Sequence, residues 1–269
     1  MEICRVIGLM SGTSLDGVDA ALLRTDGNAR ILREAFLTVP YDAALREEIR
    51  ACFGAHPDRL DAKTEAVGRK LTEVHAQAVR ALLVERGLTA DDIDLIGFHG
   101  QTISHAPDQG YTCQIGDGGL LAEMTGIRVV CDFRAADVRA GGQGAPLVPV
   151  YHQALAAGME KPLVFLNIGG VANVTYVGAN GELIAFDTGP GNALIDDWML
   201  KKSGKAFDDG GKAALSGMVD AALLQQLLAH PFFETRPPKS LDRGAFASAV
   251  WDHLTLADGA ATLAGFTAE

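Results

Sequence analysis

Positive charge and aromatic residues are both scarce in this chain. Phe, Trp and Tyr make up 6% of its 269 residues, and 23 Lys and Arg face 34 Asp and Glu, for a net charge of −11. No basic cluster is interleaved with aromatics, which argues against a nucleic-acid groove. The four cysteines, Cys4, Cys52, Cys113 and Cys131, lie far apart and form no C-x-x-C pair. They read as reduced thiols, with neither a disulfide frame nor a zinc site. No apolar run is long enough to span a bilayer. The N-terminus enters a strand directly, without a signal-peptide pattern. The expected compartment is therefore the cytoplasm, with no membrane partner.

Two common nucleotide fingerprints are also missing. There is no G-x-x-x-x-G-K-[ST] of the Walker type. No G-x-G-x-x-G sits between a strand and a helix. What remains is an ordinary globular composition, 48% apolar and 21% charged, long enough for one or two domains around a large core.

The most informative segment is Val6–Leu23. An apolar strand enters a turn of glycine, hydroxyls and a carboxylate (Ser11-Gly12-Thr13-Ser14-Leu15-Asp16), then returns as a second apolar strand from Gly17, Val18 and Asp19 onward. Such a turn offers N–H groups and hydroxyls to an anion, and its glycines admit close approach. Asp16 or Asp19 would face a metal ion carried by that anion. The competing reading is a polar hairpin turn. Because the loop joins two strands, it suits nucleotide-binding folds in which hairpins grip phosphates.

Strands are expected over 3–10, 17–25 and 31–39, and helices over 42–53 and 61–86. A buried strand at Ile93–Phe98 runs into His99-Gly100-Gln101-Thr102, read as a strand-end loop. A short strand near Thr112–Ile115, a helix near Gly118–Met124 and a strand at Arg128–Asp132 follow. The glycine-rich run Arg139–Pro146 reads as a loop. From Pro162 the order repeats: strand Leu163–Ile168, turn Gly169–Asn173, strand Val174–Val177, turn Ala179–Gly181, strand Leu183–Phe186. The echo suggests two related halves, each with a hairpin. Facing a cleft, they would place both hairpins around one triphosphate. Helices are expected near 192–203, 218–229 and 244–256, and an alanine-rich helical pattern runs through 257–269 to the end.

Phe186-Asp187-Thr188-Gly189-Pro190-Gly191-Asn192 places a carboxylate at the end of a strand, before a glycine turn and a helix. Asp187 has three readings: general base, metal ligand or helix cap. His99, beside Gln101 and Thr102, reads as ligand-binding or as hydrogen-bonded scaffold. Asp117 lies in a glycine turn. Arg134 would clamp a carboxylate bidentately, or pair with Asp132 or Asp137.

At these motifs the sequence resembles the 1,6-anhydro-N-acetylmuramic acid kinase family. They are Gly8–Asp19, His99–Thr102, Gln114–Gly118, Asp132–Arg134, Asn167–Asn173, Phe186–Asn192 and Gly204–Asp208, in order along nearly the whole chain. The resemblance implies an α/β, two-lobed actin/Hsp70/sugar-kinase-like fold of the ribonuclease H-like kind. The N-terminal lobe would be residues 1–145 and a partial C-terminal lobe 146–269. It implies a cytoplasmic enzyme of cell-wall recycling that takes an anhydro amino sugar, ATP with Mg²⁺, and water to N-acetylmuramic acid 6-phosphate and ADP. In its terms Gly12–Asp19 (Gly12, Thr13, Ser14, Leu15, Asp16, Gly17, Val18 and Asp19) bind ATP phosphates, and Gly169 and Gly170 belong to the second phosphate hairpin. Asp187 is the catalytic aspartate. His99, Gln101, Asp117, Arg134 and Asn173 face the sugar, and no residue of the chain is a dedicated metal ligand.

Family membership also implies a homodimer and a chain that continues beyond residue 269. Three alternatives stay open. One is another sugar or carboxylate kinase of the same superfold, and one is an actin- or Hsp70-like ATPase. The last is a shortened product that binds without turnover.

Overall fold

A computed structural model of the chain describes residues 2–241, 245–246 and 251–269. The chain forms two compact units, Met1–Leu147 and Val148–Glu269. Among the described residues no helix is long and apolar enough to cross a membrane.

The first unit is built on a mixed sheet. β1 (Cys4–Ser11), β2 (Gly17–Thr25) and β3 (Ile31–Pro40) form an antiparallel meander. Their alternation sends Ile7 and Leu9 of β1, and Val18, Ala20 and Leu22 of β2, into the core. β4 (Leu95–Ala106) runs parallel to β1, and β6 (Val129–Cys131) runs parallel to β4 on its far side. β5 (Tyr111–Ile115) pairs antiparallel with the second half of β4. The order β3-β2-β1-β4-β6, with only β2 reversed against β1, β4 and β6 among its central strands, is the ribonuclease H-like arrangement expected from the motifs.

α1 (Ala43–Arg50) and α2 (Ala62–Arg86) connect β3 to β4, carrying the chain from one edge of the meander to the other side of β1. α2 is framed by local signals. Asp61 accepts a hydrogen bond from the Thr64 N–H at 2.8 Å, and Gly87 ends the helix in the left-handed conformation. Its face Val67, Leu71, Ala78, Val79 and Leu82 is fully covered. Each such leucine contributes about 1.5–3 kcal/mol of burial. α3 (Gly118–Thr125) and α4 (Phe133–Arg139) complete the unit.

β4 corrects the sequence reading. His99–Thr102 is not a strand-end loop but the middle of one long strand. The bend that permits this is at Gly100, whose φ is +68°. A Cβ there would lie 2.7 Å from the Ile115 carbonyl oxygen, so only glycine fits.

The second unit begins with α5 (Pro149–Leu155) and an antiparallel meander of β7 (Leu163–Ile168), β8 (Val171–Val177) and β9 (Leu183–Pro190). The turn between β7 and β8 is shorter than expected, and β9 longer. Asn173 and Asp187 therefore lie inside strands, opposite each other in the register. α6 (Ala193–Ser203), α7 (Lys212–Ser216), α8 (Ala221–Leu228) and α9 (Leu256–Ala268) form a helical layer. Its core joins Trp198, Met199, Leu223, Leu227, Phe246, Leu263 and Phe266. The Trp198 indole N–H donates to the Leu256 carbonyl at 2.9 Å, leaving no buried polar group unpaired on that ring. The helix expected over 244–256 falls partly outside the described residues; among those described in that stretch, 245–246 and 252–253 form turns and no helix begins before Leu256.

Candidate active site

The loop after β1 has a strained centre. Leu15 has φ +60° although its side chain is buried, and its N–H closes a turn onto the Gly12 carbonyl at 3.1 Å. A bulky residue held at positive φ costs about 1–3 kcal/mol and is a mark of functional loops. The buried leucine anchors the turn, and Thr13, Ser14 and Asp16 are left exposed. Gly17 answers a different need, because a Cβ there would fall on the Val39 carbonyl where β2 and β3 meet. Asp19 accepts the Thr38 hydroxyl at 2.6 Å.

Both ends of this loop are held by Tyr41, a residue without any motif around it in the sequence. Its N–H donates to the Asp16 carbonyl at 3.1 Å, and its hydroxyl donates to Ser11 Oγ at 2.8 Å. Ser11 in turn donates to Gln101 Oε1 at 2.5 Å, and Gln101 Nε2 donates to the Thr102 carbonyl at 3.1 Å. Burial pushes the Tyr41 phenol up to about 12, so it stays a donor. Gln101 is wholly buried. Its side chain is a strut between the loop and β4, with both ends engaged.

His99 and Arg134 are brought together. Arg134 Nε donates to His99 Nε2 at 2.8 Å, and Arg134 Nη1 donates to the Gly144 carbonyl at 2.7 Å. His99 Nδ1 lies 2.8 Å from the Gly100 carbonyl, so the neutral ring carries its hydrogen on Nδ1. Burial, and then the neighbouring guanidinium, hold the His99 pKa down to about 4. Burial also lowers the Arg134 pKa. Among the described residues no carboxylate pairs with Arg134: Asp132 bridges to Arg139 at 3.3 Å, and Asp137 accepts the Gly144 N–H at 2.7 Å. A half-buried cation fixed by two neutral acceptors is an incomplete ion pair. A carboxylate on a ligand would complete it.

Asp117 is less committed to a ligand. It caps α3 by accepting the Leu120 N–H at 2.9 Å, and its own N–H is held by Thr72 Oγ1 at 3.0 Å.

In the second unit Asp187 is half-buried on β9, directly opposite Asn173 on β8. Its Oδ2 accepts the Leu241 N–H at 2.8 Å, and its own N–H donates to the Lys239 carbonyl at 3.1 Å. Burial raises its pKa above the usual carboxylate range, only partly offset by the Leu241 bond. One oxygen is thus oriented by the backbone, and the group holds a proton more readily than an exposed aspartate.

The Gly169-Gly170 turn packs on the segment after β9. Its carbonyls accept from the N–H groups of Asn192 at 2.8 Å and Gly191 at 3.0 Å. A Cβ at Gly191 would fall on the Gly169 carbonyl, and Thr267 of α9 donates to the Gly191 carbonyl at 2.9 Å. The glycine-proline-glycine motif is thereby explained as a packing point for the hairpin. Among the described residues no three metal-ligating side chains gather.

Known proteins place this chain clearly. Residues 4–268 match the family model described as anhydro-N-acetylmuramic acid kinase. The enzyme of that name from Rhizorhabdus wittichii is 54% identical over 98% of this chain and 73% of its own length. That from Methylobacterium nodulans is 52% identical over 98% of this chain and 75% of its own. That from Rhodospirillum rubrum is 53% identical over 97% and 69% respectively. With that match across nearly its full length, the chain belongs to the anhydro-N-acetylmuramic acid kinase family.

Proposed function

We propose the following division of labour in a kinase that acts on 1,6-anhydro-N-acetylmuramic acid. Asp187 is the general base. It takes a proton from a water that attacks the anomeric carbon; the bond from that carbon to O6 breaks, and O6 attacks the γ-phosphate of ATP. N-acetylmuramic acid 6-phosphate and ADP leave, and Asp187 returns its proton to solvent. Because the leaving oxygen is captured by phosphorus, one carboxylate suffices where glycoside hydrolysis uses two.

Arg134, set by His99, takes the lactyl carboxylate of the sugar. Gln101 fixes the loop, while Asp117 and Asn173 offer polar contacts to the sugar. Gly12–Asp19 and the Gly169-Gly170 turn supply N–H groups to the ATP phosphates. Mg²⁺ arrives with the nucleotide, so it needs at most one or two carboxylates, and the exposed Asp16 suits that demand. The enzyme works in the cytoplasm in peptidoglycan recycling, as a homodimer.

The observation that carries this reading is Asp187, whose proton affinity is raised by burial while one oxygen is oriented by the Leu241 N–H. The test is mass spectrometry of the sugar product formed with magnesium-ATP in ¹⁸O-water. Heavy oxygen at C1 of a 6-phosphate is expected. Heavy oxygen on phosphate instead, from simple ATP hydrolysis, would overturn the coupled mechanism.

A further inference from the structure

The Arg134 guanidinium, carried by α4, is held by a segment with no regular structure of its own. Its Nη1 acceptor is the carbonyl of Gly144, in the segment that links α4 to the end of the first unit. That segment is gathered onto one side chain. The Asp137 carboxylate accepts the Gly144 N–H at 2.7 Å, while the Asp137 carbonyl accepts the N–H groups of Gly142 at 2.9 Å and Ala140 at 3.0 Å. Gly142 lies against the same carboxylate, so that any Cβ there would collide with it. Gly144 has φ +66°, and a Cβ there would sit 2.7 Å from Val138 Cγ2.

We infer that Asp137 is a positioning residue for sugar recognition: it sets the carbonyl that holds Arg134, through the backbone of Gly144. The line runs from the Asp137 carboxylate to the Gly144 N–H, from the Gly144 carbonyl to Arg134 Nη1, and from Arg134 Nε to His99. The restraint passes through the Gly144 Cα, which joins the peptide plane carrying the N–H to the one carrying the carbonyl, with φ at +66°. The arrangement also solves an electrostatic problem. A carboxylate bonded straight to Arg134 would neutralise it, whereas Asp137 fixes the guanidinium through neutral backbone and leaves its charge for a ligand. The inference rests on the reading that Arg134 binds the lactyl carboxylate.

The test is steady-state kinetics of the full chain with the sugar and ATP varied separately, on Asp137→Ala, Asp137→Asn, Gly142→Ala, Arg134→Ala and the double variant Arg134→Ala/Asp137→Ala. Asp137→Ala removes the clamp, and Gly142→Ala displaces it from the other side. Each is expected to raise the sugar KM about tenfold while leaving the ATP KM alone, the size of effect a lost oriented hydrogen bond gives. Asp137→Asn keeps an acceptor oxygen and recovers most of the loss. The double variant is no worse than Arg134→Ala, since both act through one guanidinium. A sugar KM within twofold of wild type in Asp137→Ala, or in Gly142→Ala should the first not fold, overturns the inference. Multiplying effects in the double variant do the same. If Arg134→Ala itself leaves the sugar KM unmoved, the underlying reading of Arg134 falls, and this inference with it.

Discussion

Asn173 and Asp187 are cross-strand neighbours in the register of β8 and β9, so an amide and a carboxylate occupy adjacent positions on one face of the sheet. A one-residue shift of either strand would turn one of them to the opposite face. This pairing makes Asp187 testable with little damage to the fold. Asp187→Asn keeps an oxygen for the Leu241 N–H and removes the base. We expect kcat to fall by about 10²–10⁴-fold in an ADP-release assay. Because burial raises the Asp187 pKa, its ionised form weighs against folding at neutral pH. The variant should therefore melt at the same temperature as wild type or higher. A lower melting temperature with retained kcat would refute the assignment.

As the proposed base, Asp187 must be ionised to act. kcat is expected to rise with pH through a value above the ordinary aspartate range and then level off, a limb that Asp187→Asn lacks. A rate that declines over the same interval would contradict the role.

Tyr41→Phe removes one hydroxyl from the chain of bonds through Ser11 to Gln101. The ring still fills its place, so the loss of stability should be about 1 kcal/mol by denaturant titration. The kinetic signature is a raised ATP KM with an unchanged sugar KM, because the ends of the Ser11–Asp16 loop are what Tyr41 holds. Equal changes in both constants would argue against loop-specific positioning.

Gly191→Ala should be severely destabilising, above about 2 kcal/mol, because the methyl group must displace the Gly169 carbonyl. Gly158→Ala is the matched control: nothing lies within 4 Å of its Cβ position, and its effect should stay within about 0.5 kcal/mol. Comparable melting curves for the two variants would show that the hairpin does not depend on this contact.

Acid should weaken the first unit before it affects Arg134 chemistry directly. His75 and His99 are held at about 4 by burial, against an ordinary value of 6.5. Between those values the unfolded chain binds more protons than the folded one. Stability from these two groups is full above about 6.5 and is lost as pH falls towards 4. Thermal denaturation from neutral pH downward should show this slope, and it should be shallower in His75→Leu. Protonating His99 would put a hydrogen on Nε2, the atom that accepts from Arg134. Sugar KM is accordingly expected to be flat with respect to His99 between about pH 6 and 8.

The meander β1–β3 and helix α2 were legible because apolar residues repeat there with period two or 3.6, and Asp61 and Gly87 mark the ends of α2. His99–Thr102 was misread as loop because glycine and polar side chains resemble a turn when the strands flanking them are unseen. Its strand character comes from pairing with β1 and β5 on two different edges. The Asp187 segment was misplaced for the same reason, since its extension is stabilised by register against β8. α4 and α5, seven residues each, are too short to show a period. Arg134, His99 and Asp187 could be nominated from residue type and neighbours alone. Tyr41 and Asp137 could not, because their partners, Ser11 Oγ and the Asp16 carbonyl for Tyr41 and the Gly144 N–H for Asp137, come within reach only in the fold.

The bend of β4 at Gly100 has a consequence for how this chain can change. The strand is paired with β1 on both sides of the bend, at Phe98 before it and Gln101 after it, and with β6 before it and β5 after it. His99 and Gln101 sit one on each side of that joint, one serving the guanidinium and the other the loop. Their spacing is set by covalent bonds and locked by neighbours on both flanks, so no insertion or deletion can be absorbed between them. Variation in length has to be taken up where the backbone is exposed, as at the Pro107–Gly110 turn. Substitution can retune the guanidinium side and the loop side of this joint, but changes in length cannot separate the two.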